Sequence, residues 1–121
     1  MAKKSYNLGQ IYSQLEPMLL RALETHEQSI EAYGLACEVA ADAMMAYRIA
    51  KADAVEWLKN QGERVTIIGD LVQGRTAPQK AEMVKAEGYK NKCKMMVKAL
   101  EERINSLKFI GRRMDYASQT K

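Results

Sequence analysis

The sequence predicts an all-α fold of two long antiparallel helices, a coiled-coil-like helical hairpin with a short connector helix and a short N-terminal helix. Three observations point there. Apolar residues make up 47% of the 121, and Ala, Leu and Met outweigh the single Phe, single Trp and two prolines, a mix that favours helix over sheet. Apolar positions recur about every 3.5 residues on both sides of one short break, the rhythm of a long helix in a coiled-coil seam. Two such helices joined by a compact connector must run antiparallel. The length leaves room for one domain, 1–121.

The first long helix is predicted over about 17–60. Its stripe runs Leu19, Leu23, His26, Ile30, Tyr33, Cys37, Ala40, Met44, Tyr47, Lys51, Ala54 and Leu58 in steps of four and three. Ala22, Ala36, Ala43, Ala50 and Ala52 widen the apolar face, so a third helix or a second subunit has somewhere to pack. Pro17 suits a first turn, and Leu8, Ile11, Tyr12 and Leu15 before it predict a separate short amphipathic helix. Gly62 should stop the long helix by taking the left-handed conformation.

The connector, 61–77, is expected to hold a short helix capped by Thr66 and closed by Gly74, with Ile67, Ile68, Leu71 and Val72 covering the end of the core. A strand is the alternative for Val65 to Ile68, but it would have no partner strand. The second long helix is predicted over about 78–116, with Pro78 in its first turn. Its stripe is Ala86, Tyr89, Cys93, Met96, Leu100, Ile104, Leu107, Ile110 and Met114. The small, polar tail at 117–121 should fray.

Charge is unevenly distributed. From Pro17 to Gln61 four basic residues face seven acidic ones, whereas from Gln79 to Tyr116 ten basic residues face five acidic ones. Within the basic half Lys90, Lys94 and Lys98 recur at one-turn spacing. Together with Lys85, Lys108, Arg112 and Arg113 they form the candidate contact set for nucleic acid or another partner. A solvated face is the bland explanation of the same lysines. Aromatic residues for stacking on bases are sparse there: Tyr89, Phe109 and Tyr116.

The other constellations carry little chemistry. Gly69, Gly74, Arg75 and Thr76 imitate a phosphate-binding loop with Arg in place of Lys, but without the parallel sheet that presents such a loop, and helix capping by Gly74 explains them equally well. His26, the single histidine, sits in the seam with no indicated nucleophile, so no catalytic residue is expected and the protein reads as a non-enzyme. Cys37 and Cys93 lack metal-ligand spacing and read as buried free thiols, and neither a metal nor a cofactor is expected. No apolar run reaches membrane-spanning length and no signal-like stretch follows the N-terminus, so a cytoplasmic protein that does not engage membranes is expected.

The order Tyr47-Arg48-Ile49-Ala50-Lys51-Ala52, then Trp57-Leu58-Lys59, Gly62, Val65-Thr66-Ile67-Ile68 and Asp70-Leu71-Val72-Gln73-Gly74, followed by a Lys/Glu-rich helix, resembles small helical accessory proteins of tailed bacteriophages. It covers the central half of the chain and departs from the pattern at Pro17, Gly34 and Gly88. The resemblance implies a viral accessory protein in the host cytoplasm, and no functional residue is carried over from it. The expected function is therefore non-enzymatic: a homo-oligomer that binds nucleic acid, or a nucleic-acid-handling protein, through its basic helix. The alternatives are an anti-defence inhibitor, anti-CRISPR-like or a sponge for a signalling nucleotide, and a purely structural coiled-coil subunit.

Overall fold

A computed structural model of the chain describes residues 8–119, with side chains at 13–115. Residues 1–7, where the absence of a signal was read, and residues 120–121 of the expected frayed tail lie outside the described residues. The described residues form three helices and no strand: α1 (Leu8–Asn60), α2 (Val65–Arg75) and α3 (Ala77–Gln119). Among the described residues no helix is long and apolar enough to cross a membrane.

The separate N-terminal helix is not seen, because α1 runs unbroken from Leu8 with Pro17 inside it. Proline removes one N–H from the helix ladder and crowds the preceding turn, a cost of about 3 kcal/mol in isolation. Packing on both sides of the proline offsets it, since Leu15 and Leu19 both lie against the buried cluster of Ala22, Ile104 and Leu107.

Gly62 ends α1 as expected, with φ 77°. The Gly62 N–H donates to the Lys59 carbonyl at 3.0 Å and the Glu63 N–H to the Leu58 carbonyl at 3.2 Å, the paired bonds of a left-handed helix stop.

The connector differs from expectation at both ends. α2 starts at Val65 after the extended residue Arg64, which makes no side-chain cap, so Thr66 lies inside the first turn. Gly74 is helical, and the turn falls at Thr76. The reason lies in the Thr76 hydrogen bonds: both its N–H (2.9 Å) and its hydroxyl (2.7 Å) donate to the Val72 carbonyl, while the Lys80 N–H donates back to the Thr76 carbonyl at 3.0 Å. One residue thus closes α2 and opens α3, with Pro78 in the first turn where its missing N–H costs nothing.

The chain divides into a terminal unit (Met1–Glu31 with Lys94–Lys121) and a central unit (Ala32–Cys93). In the terminal unit the Ala22, Ile104 and Leu107 cluster forms the core. A Cβ added to Gly111 would lie 3.2 Å from Leu15 Cδ2, so α3 approaches α1 closely there. His26 Nε2 lies 3.4 Å from Glu101 Oε1, linking the same two helices. In the central unit Ala54 and Leu58 of α1 pack on Ile68 and Val72 of α2, with Val55 alongside. Each large side chain so covered contributes about 1.5–3 kcal/mol of burial.

The buried line of α1 follows the expected stripe at Ala40, Ala54 and Leu58 and departs from it nearer the N-terminus. There Ala22, Ser29 and Ala36 are buried, whereas Leu23 and Ile30 remain 40% and 48% exposed. Small side chains let helices approach closely, and branched neighbours are pushed to the rim. On α3, Tyr89, Met96 and Ile110 likewise fall at the exposed edge. Lys51 is exposed, and Cys37 and Cys93 are half-buried free thiols.

Candidate nucleic-acid interface on the third helix

All seven candidate cations stand on α3, and the helical repeat sorts them. Lys94, Lys98, Lys108 and Arg112 share one face, within a sector of roughly 80°, and extend over about 27 Å of helix axis. All four are exposed and belong to the terminal unit. The ion pairs His26–Glu101 and Lys90–Glu87 do not involve them. Glu101, which shares this face, is engaged by His26 at 3.4 Å.

The other three are placed differently. Lys90 is half-buried, with its Nζ 3.2 Å from Glu87 Oε2. The hydrogen bond and charge of Glu87 hold the Lys90 ammonium above its ordinary pKa against a smaller opposing effect of burial. Lys85 belongs to the central unit, as Lys90 does. Arg113 lies over the Phe109 ring, its guanidinium 5.7 Å from the ring centre.

Net charge adds little to this local row. The terminal unit has ten basic and seven acidic residues, three of the basic ones (Lys3, Lys4 and Lys121) outside the described residues, and the central unit has nine and eight. Any attraction for phosphate therefore comes from local spacing, not from the field of the whole chain.

No known family, characterised protein or solved structure matches this chain. Function must therefore be read from the side chains themselves. Gly69 and Gly74 are both helical residues of α2, so the phosphate-loop look-alike is helix and not an open loop. Among the described residues no group of three or more His, Cys, Asp or Glu is placed to hold a metal. Tyr33 and Tyr89 each lie one turn before a cysteine, and the hydrogen bond and charge of Cys37 and of Cys93 push the respective phenols above their ordinary pKa.

Two basic features were not among the sequence candidates. Arg21 of α1 and Arg103 of α3 line one hollow of the terminal unit with Met18 and Leu100. In the central unit the Arg75 guanidinium stacks 4.0 Å from the centre of the Trp57 ring, a contact between α2 and α1 that no local spacing announces.

Proposed function

We propose that this protein is a non-enzymatic accessory protein that binds the phosphate backbone of nucleic acid through α3, with Lys94, Lys98, Lys108 and Arg112 as the main contacts. The observation that carries the reading is their shared, exposed face, which lies outside the ion pairs Lys90–Glu87 and His26–Glu101. Ammonium and guanidinium groups in such a row gain affinity by releasing counterions, and they fix position without reading bases. Lys85, Lys90 and Arg113 are secondary, because Lys85 and Lys90 belong to the central unit, Lys90 is paired with Glu87, and Arg113 lies over the Phe109 ring.

The scaffold of this reading is an antiparallel, coiled-coil-like pair of long helices. In the terminal unit Leu15 meets Gly111 and His26 meets Glu101, so partner numbers fall as α1 advances. In the central unit Tyr33 feels the charge of Lys90, while Tyr47 and Lys51 share a hollow with Thr76 and Lys80, the same descending order. The likeness to tailed-phage accessory proteins supplies the viral setting and the host cytoplasm as the place of action.

The test is binding to duplex DNA across a salt series. Four neutralised phosphates predict that log affinity falls against log salt with a slope of about −3.6. Replacing Lys94, Lys98 and Lys108 together with Glu should weaken binding and make the slope shallower by about 0.9 for each phosphate no longer neutralised. No binding at low salt, or an unchanged slope in the variant, defeats the proposal.

A second reading, an inhibitor of a host defence enzyme, is favoured by the Arg75 and Trp57 stack, since exposed Trp and Arg are the residues that dominate protein-binding hot spots. Recovery of one nuclease complex from bacterial lysate, abolished by Trp57→Ala, would favour it over DNA binding.

A further inference from the structure

A second apolar stripe runs along α1 beside the buried one. Leu35, Val39, Ala43, Ala46, Ala50 and Trp57 follow steps of four, four, three, four and seven, which keeps them on one face. Its large members are open, with Leu35 63%, Val39 58% and Trp57 46% exposed. All six lie in the central unit, where Leu35, Val39, Ala46 and Trp57 are exposed and Ala43 and Ala50 are half-buried at the inner edge of the stripe.

We propose that this stripe is the contact surface for a second copy of the chain, seated against the Lys85, Tyr89 and Lys92 face of the copy's α3 and reciprocated about a two-fold axis. Two observations favour that occupant. Ala46, exposed between Val39 and Trp57, leaves room for the close helix approach that small side chains permit.

Charge selects the pairing. Glu38 and Asp42 flank the stripe and are exposed. Stripe against stripe would oppose like charges, which is destabilising. On α3, Lys85 and Lys92 flank Tyr89, which is 58% exposed, and all three share one face. Setting α1 of one copy on α3 of the other therefore joins acidic to basic flanks twice over, and the alkyl stems of the lysines cover Leu35 and Val39.

The experiment is the solution mass of the full chain without nucleic acid, by sedimentation equilibrium, so its outcome is separate from that of DNA binding. Two chains per particle are expected. Leu35→Glu with Val39→Glu should yield single chains that keep their helical circular dichroism, because both side chains are exposed within the protomer. Lys85→Glu with Lys92→Glu should weaken dimerisation by about tenfold, and adding Glu38→Lys with Asp42→Lys should restore it. Should the apolar variant lose its helices, the charge exchange, confined to exposed residues, decides the question. A single-chain wild type, a dimer indifferent to the apolar variant, or weakened dimerisation without rescue would each overturn the proposal.

Discussion

Ile67 and Ile68 are adjacent and chemically identical, yet α2 leaves the first 41% exposed and buries the second to 7%. Replacing each with Ala therefore isolates burial from every other variable. Ile68 is one of four buried residues between α1 and α2, with Ala54, Leu58 and Val72. Cutting an isoleucine from a core costs about 2–5 kcal/mol, and a cluster this small can partly close on the gap, which places Ile68→Ala at about 2–3 kcal/mol. Ile67→Ala gives up less packing and gains some helix propensity, leaving a net cost below about 1 kcal/mol. With a urea slope of about 1–3 kcal/mol/M, the two midpoints should differ by about 1–2 M. The assay is urea unfolding followed by far-ultraviolet circular dichroism, with all variants at one protein concentration because association adds to apparent stability. Equal costs, or a larger cost at Ile67, would refute the inward face given to α2.

Gly62→Ala should destabilise by about 1 kcal/mol and Gly62→Val by more, because φ is 77° there and a side chain meets the following carbonyl; Gly62→Asn should cost less, and thermal unfolding of the three ranks them. Stability should fall as pH rises past about 10: Tyr33, Tyr89 and Lys90 hold their protons to higher pH when folded than when unfolded, so alkali favours the unfolded chain. Phenolate absorbance during an alkaline titration should show a late-rising fraction that shrinks in Tyr33→Phe and Tyr89→Phe, and no change in either variant would contradict the Tyr and Cys pairing. Gly34→Ala should stabilise by about 0.5–1 kcal/mol, since a Cβ there meets nothing within 4 Å and alanine is the better helix former.

The sequence by itself was enough for the all-helical class, the stop at Gly62 and the start of α3 beside Pro78. These follow from local chemistry: Ala, Leu and Met favour helix, glycine alone tolerates the left-handed turn cheaply, and proline fits a first turn. The i,i+3 link of Lys90 to Glu87 was legible on the same grounds, as both lie one turn apart on one helix. Where elements compete, local rules failed. Pro17 stays inside α1 because Leu15 and Leu19 find a core on either side of it, and Gly74 stays helical because Thr76 offers two donors to one carbonyl.

Only the tertiary structure decided which side of each helix is covered. Hydrophobicity ranks Leu23 and Ile30 above Ala22 and Ser29, yet the smaller pair is buried, because the distance between helix axes and not transfer energy selects the side chains at closest approach. The same holds for charge: spacing along α3 placed the lysines, but that Glu101 is taken by His26, and that Arg21 and Arg103 line one hollow, depends on residues far away in the chain that meet only on folding.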